Sequence, residues 1–224
     1  AEATKRSLER VQTNSIDPSS GKAKRVAKYL PVAVKAQSTN KERELTGSES
    51  DSQRLLEDLK ISDWFPDSSI ERDIDLWYER DYRTLGLISV DRFYTRRNLA
   101  ILADLWQRVK GINSSRLRNG VRFAITGMVV NLSRMNRWRP DVSFPYNPLS
   151  GTLYIPSLSV ESNVFIGIRN KIKRLKKVWG ETRLAGDCAI STQSSTQFSS
   201  IEDNSLDYVF IDPPFGSNII YSDL

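Results

Sequence analysis

Residues 206–216 read Leu206-Asp207-Tyr208-Val209-Phe210-Ile211-Asp212-Pro213-Pro214-Phe215-Gly216, an apolar run that ends in a carboxylate, two prolines and an aromatic ring. The β-branched and aromatic residues 208–211, after the turn-prone Glu202-Asp203-Asn204-Ser205, predict a short buried strand of a parallel sheet. On this reading the fold class is α/β. Asp212 then falls at the strand's carboxyl end, where open α/β sheets hold their ligands. Pro213 and Pro214 have fixed φ and no N–H, so they end the ladder and stiffen the loop while each keeps a carbonyl oxygen.

Such a loop suits a flat ring that carries an amino group. The exocyclic nitrogen of adenine or cytosine is a poor nucleophile because its lone pair is delocalised into the ring. The Asp212 carboxylate and the Pro213 carbonyl can accept its two hydrogens and favour a pyramidal nitrogen with an available lone pair. Phe215 would stack on the base, an interaction of about 1–3 kcal/mol, and Gly216 lets the backbone turn away without a Cβ clash. A base inside a duplex cannot reach such a pocket, so the chemistry requires flipping it out of the stack.

Residues 203–216 resemble, nearly residue for residue, the lead-in and catalytic loop of the bacterial and archaeal DNA methylases that modify the N-4 amino group of cytosine or the N-6 amino group of adenine. The continuation Ser217-Asn218-Ile219-Ile220-Tyr221-Ser222 is similar to one branch of that family, whose loop runs on as Gly-x-Asn-x-x-Tyr-Ser. Phe93-Tyr94-Thr95-Arg96-Arg97-Asn98-Leu99, Ser133-Arg134-Met135-Asn136-Arg137-Trp138-Arg139-Pro140 and Gly151-Thr152-Leu153-Tyr154-Ile155-Pro156 resemble further segments of these enzymes. The likeness covers residues 90–224 and leaves residues 1–60 untouched.

The resemblance implies a partial Rossmann-like methyltransferase fold with a mostly helical N-terminal part. It implies transfer of a methyl group from S-adenosylmethionine to a base amino group in DNA, within a restriction-modification or related defence system. Asp212, Pro213, Pro214 and Phe215 would be catalytic, with Phe215, Gly216, Asn218 and Tyr221 against the substrate. Family members bind the donor on a glycine-rich turn after a strand, yet none of the 11 glycines here forms Gly-x-Gly. In a permuted branch the catalytic loop precedes the cofactor strand, so the donor turn is expected beyond Leu224, in a longer protein of which this piece alone is inactive. Asp187, in Leu184-Ala185-Gly186-Asp187-Cys188, matches a Gly-Asp turn that lies near the donor's adenine in the family. Related enzymes acting on RNA or on protein amides usually have asparagine in place of Asp212. DNA is therefore favoured, with an RNA amino-methyltransferase or a non-catalytic nucleic-acid-binding module as the alternatives.

Composition narrows the remaining classes. Lysine and arginine number 33 against 27 acidic residues, a net charge of +6 that suits a polyanionic partner without requiring one. The single cysteine, Cys188, excludes an intrachain disulfide and a cysteine-rich zinc site, and the lack of histidine excludes His-dependent triads and metal clusters. No metal is expected. No apolar run reaches the length needed to span a bilayer and the first thirty residues do not read as a signal peptide, so a cytoplasmic location is expected.

Three stretches organise the chain. Residues 1–60 form a basic segment, poorly structured or helical, with Lys22, Lys24, Arg25 and Lys28 clustered on a solvated linker or surface helix and a short helix predicted over 50–60. Residues 61–160 form a helical and loop region suited to contact DNA, in which Trp64-Phe65-Pro66 docks on the core or lines a cleft. Here Thr95 caps a helix that buries Leu99, Leu102, Leu105 or Trp106, and Val109, and that closes at Gly111. A second helix is predicted over 116–136, although residues 123–130 are apolar enough for a strand. It leads into Arg134, Arg137, Trp138 and Arg139, which suit phosphate contacts and base stacking, or else place cations on the helix's negative end. Prolines 140, 145, 148 and 156 stiffen a loop around the strand-like Leu153-Tyr154-Ile155. Residues 161–224 begin the catalytic α/β domain with a long helix from 161. Phe165, Ile168, Ile172, Leu175 and Trp179 share one face of it, and Arg169, Lys171, Lys173, Arg174, Lys176 and Lys177 lie mostly on the other. That basic face is an electrostatic footprint for nucleic acid or the wet side of an amphipathic helix.

Overall fold

The computed structural model describes residues 59–70, 82–139, 148, 153–181, 189–194, 196 and 201–213, together with the backbone of 12–16, 23–27, 35–37 and 42–44. That backbone forms two small antiparallel ladders, Gln12–Ile16 with Ala23–Ala27 and Lys35–Gln37 with Glu42–Glu44. In the first, Ser15 faces Lys24 and Asn14 faces Arg25. The helix predicted over 50–60 falls almost wholly outside the described residues.

The packed body is all-helical. Three helices carry it, α1 (Arg96–Lys110), α2 (Ser115–Thr126) and α3 (Val164–Glu181). Among the described residues no strand takes part in its core, which corrects the α/β, Rossmann-like expectation. The strand predicted over 208–211 is exposed, irregular chain, because a strand needs a neighbour to take up its N–H and C=O groups and none of the described residues provides one. Leu153-Tyr154-Ile155 is not a strand either; Leu153 adopts a left-handed φ of 45°.

Helix α1 forms as its sequence predicts. The Thr95 Oγ1 accepts the Asn98 N–H at 3.3 Å, satisfying one of the unpaired first-turn donors. Leu99, Ala103 and Val109 are buried on its inner face, with Leu102, Leu105 and Trp106 packed beside them. Gly111 closes the helix through an N–H bond to the Arg108 carbonyl at 3.1 Å, at a φ of −76° that requires no left-handed residue. Asp104 and Arg108, one turn apart, pair at 2.8 Å on the wet face.

Helix α2 starts at the Ser114 cap, whose Oγ accepts the Leu117 N–H at 3.3 Å, and ends at Gly127, well short of the predicted 136. Two features stop it there. The Thr126 hydroxyl bonds back to the Arg122 and Phe123 carbonyls at 3.1 and 3.2 Å. Gly127, a residue of low helix propensity, follows as the cap, its N–H bonded to the Phe123 carbonyl at 3.0 Å. Residues 127–135 continue as tight turns, closed by Leu132 N–H to Met128 O at 3.0 Å and Asn136 N–H to Ser133 O at 3.2 Å.

Helix α3 begins at 164 rather than 161, capped by the Asn163 Oδ1 that accepts the Ile166 N–H at 3.1 Å. Glu161 is used elsewhere. It grips Arg97 of α1 through two parallel bonds of 2.7 Å, a fork geometry that fixes the approach to α3. Val164 and Ile168 are buried with Val109, Ile125 and Leu132, so all three helices share this cluster. Of the predicted apolar face, Phe165, Ile172 and Trp179 remain exposed, which corrects its direction.

A second cluster lies N-terminal to α1, where Tyr82, Leu87, Ile88 and Phe93 meet Met135 and Ile155. The Tyr82 ring packs edge-on to Phe93 at 5.8 Å and its hydroxyl donates to the Leu153 carbonyl at 2.7 Å. Asn98, on α1, braces the three-helix cluster. Its buried amide donates to the carbonyls of Leu132 at 2.9 Å and Ser162 at 3.0 Å, tying the turns after α2 and the approach to α3 onto α1.

Candidate functional site

The turn ahead of the apolar run is built as its residues suggest. Asn204 takes a φ of 60°, a conformation that asparagine tolerates better than most residues. The Ser205 N–H and Oγ both donate to the Glu202 carbonyl, at 3.3 and 2.7 Å. Beyond it Tyr208, Val209, Phe210 and Ile211 are 80, 60, 79 and 74% exposed, so side chains on both faces of the run meet solvent. Asp212 and Pro213 follow, also exposed. Among the described residues no guanidinium or ammonium group pairs with the Asp212 carboxylate. Pro214, Phe215, Gly216, Asn218 and Tyr221 lie outside the described residues, as does Asp187.

The basic and aromatic residues 134–139 occupy turns and a short bridge. Because α2 ends at Gly127, they do not form a helix C-terminus, and the dipole role considered for them does not apply. Arg134 turns inward, its Nη1 donating to the Arg92 carbonyl and its N–H to the Phe93 carbonyl, each at 2.7 Å. It holds the 3-10 turn Val90–Phe93 against the chain after α2. Arg137 bridges Ser159, while the Trp138 N–H donates to the Leu158 carbonyl at 2.9 Å. The indole of Trp138 is 37% exposed, and Arg137 and Arg139 are half-buried. On α3, Arg169, Lys173, Arg174, Lys176 and Lys177 are exposed, whereas Lys171 leans over the Phe123 ring at 5.8 Å.

A feature with less sequence signal lies where residues 64–66 meet α1 and α2. Trp64, Phe65 and Pro66 close over α1 and α2 to wall a half-open groove of about 210 Å³. Tyr94, Leu99, Ala103 and Trp106 line it from the α1 side, and Ile125 and Val129 from the α2 side. Cations rest on three of the aromatic rings: Arg96 on Phe65 at 5.6 Å, Lys110 on Trp64 at 6.0 Å and Arg122 on Trp106 at 5.6 Å. Arg96 is further fixed by its Nε, which donates to the Leu59 carbonyl at 2.7 Å. Burial raises the Tyr94 phenol above its ordinary pKa. The cleft-lining role expected of Trp64-Phe65-Pro66 is thus found. The other walls become neighbours only when α1 and α2 fold back on each other, and their spacing in sequence gives no hint of it.

Among the described residues no group of acidic, cysteine or histidine side chains is arranged to hold a metal, and no helix is long and apolar enough to cross a membrane. Compared with known proteins, the chain matches no family model, no curated protein and no solved structure.

Proposed function

We propose that this chain carries the catalytic loop of a DNA amino-methyltransferase, acting in the cytoplasm on the exocyclic amino group of adenine or cytosine. One observation carries the proposal: an apolar run that leads straight into Asp212-Pro213-Pro214-Phe215. The exposure of Asp212, with no cationic partner among the described residues, supports it, since a carboxylate tied to a guanidinium has less to offer an incoming amine. In this reading the Asp212 carboxylate and the Pro213 carbonyl each accept a hydrogen bond from one amine N–H, so the nitrogen lone pair leaves conjugation and points out of the ring plane. Phe215 stacks on the extruded base.

S-adenosylmethionine, when bound, supplies an electrophilic methyl group. Among the described residues no strand ends in a glycine-rich turn, so no residue here is assigned to hold the donor. What this chain contributes is the grip on the amine.

The test is Asp212→Ala in the full-length protein, followed with labelled donor and DNA. We expect methyl transfer to fall more than about a hundredfold, the scale at which a positioned catalytic group acts, while DNA affinity and the melting temperature hold. Undiminished transfer by the variant removes Asp212 from the chemistry. A second reading, a nucleic-acid-binding module without catalysis, is favoured by the exposed cations of α3. Tight DNA binding by a full-length parent protein that transfers no label would select it.

A further inference from the structure

None of the residues that wall the groove between the 64–66 loop, α1 and α2 belongs to the loop around Asp212, and the proposed chemistry leaves the groove without a role. Its composition is particular. The lining is almost wholly apolar, yet the rings of Trp64, Phe65 and Trp106 each carry a cation at about the stacking distance. A cavity of about 150 Å³ takes a benzene ring, so one of about 210 Å³ has room for a single flat ring system.

We propose that this groove receives one unstacked base of single-stranded DNA, with the flanking phosphates met by Arg96, Lys110 and Arg122. The two halves of the ligand answer the two halves of the site. A base offers a π-face to the aromatic walls while its polar edge stays at the open side in water. Its phosphates bring the negative charge that suits three cations seated on rings that line the groove. An apolar side chain or acyl chain would fill the groove but leave those cations unanswered. A peptide backbone would bring N–H and C=O groups that an apolar lining cannot satisfy. The proposal makes no use of Asp212 or of methyl transfer.

Binding is read by fluorescence anisotropy with labelled oligothymidylate and with a strand of the same length whose sugars carry no base, both without methyl donor. We expect the base-bearing strand to bind at least about fivefold more tightly, the factor that the weaker end of one stacking contact supplies. Trp64→Ala should erase that preference and Trp64→Phe should retain most of it. Trp64 is 60% exposed, so its loss leaves the cores intact, and circular dichroism checks this. Thr126→Phe, at an exposed wall position, should block the groove independently. Equal affinity for the two strands overturns the proposal, as does a preference that survives both Trp64→Ala and Thr126→Phe. So does tighter binding of a glutamate-tyrosine copolymer than of oligothymidylate, which would mark a protein partner. Asp212→Ala should leave the base preference unchanged, so failure of the methyltransferase reading and failure of this one are distinguishable.

Discussion

Helix α3 and residues 206–213 are both rich in apolar residues and meet opposite fates. Val164 and Ile168 are 1 and 8% exposed, whereas Val209 and Ile211 are 60 and 74% exposed. The difference lies in where backbone hydrogen bonds are found. A helix satisfies its own and needs only one apolar stripe covered, so α3 docks on α1 and α2 through Val164 and Ile168. A run of Tyr, Val, Phe and Ile can be a strand only beside another strand, and with side chains exposed on both faces it would need cover from both sides. Apolar content alone therefore predicts burial in one case and leaves it unrealised in the other.

The comparison breaks most sharply on a pair of truncations. Leu132 is 1% exposed among Val109, Ile125 and Val164, and Leu132→Ala should cost about 2–5 kcal/mol through lost burial and a cavity. Val209→Ala should change stability by less than about 0.5 kcal/mol, as exposed substitutions do. Urea unfolding of both variants decides it. A cost at Val209 comparable to that at Leu132 would mean that 206–213 is packed in solution, and the contrast drawn here would fail.

A smaller effect tests how the helical body is tied together. Asn98→Ala leaves the Leu132 and Ser162 carbonyls without the amide that bridges them, which should cost about 1–3 kcal/mol. Because one of these carbonyls precedes α3, hydrogen exchange should quicken at the start of α3 and leave the exposed run unaffected. Unchanged exchange around 164 would show that Asn98 does not couple α1 to α3.

The sequence made α1 legible from end to end because its signals are local: a threonine cap, apolar residues at helical spacing and a glycine after the last turn. The end of α2 was less so. The apolar residues after Thr126 continue a helical pattern, whereas the helix ends at the Gly127 cap and the chain goes on as tight turns. On α3, residues advance by about 100°, so Phe165, Ile172 and Trp179 fall on one flank of the apolar stripe while Val164, Ile168 and Leu175 fall on the other. Periodicity shows the stripe; which flank is covered depends on the partner helices. The residues of the proposed chemistry were legible as a motif, but the strand predicted to carry Asp212 was not realised, since pairing is not a local property. The aromatic groove was legible only at Trp64-Phe65-Pro66; Trp106 and Arg122 meet through the α1–α2 pairing.

The smallest effect probes the groove side of the helical body through pH. Tyr94 lines the groove, and burial raises its pKa above the ordinary 10.0 by disfavouring the phenolate. Below about pH 10 the phenol is protonated in folded and unfolded chains alike, so its contribution to stability is complete. As pH rises past that value the unfolded chain releases the proton first, and stability drains away until the folded chain releases it too. Tyr94→Phe removes this one titration and leaves every other tyrosine in place. The urea midpoint of the variant should match the parent's pH dependence up to about 10 and fall less steeply above it. Parallel decline of the two proteins would mean that Tyr94 is as well hydrated in the folded chain as Tyr208, which is 80% exposed, and the distinction between the two regions would not extend to this flank of α1.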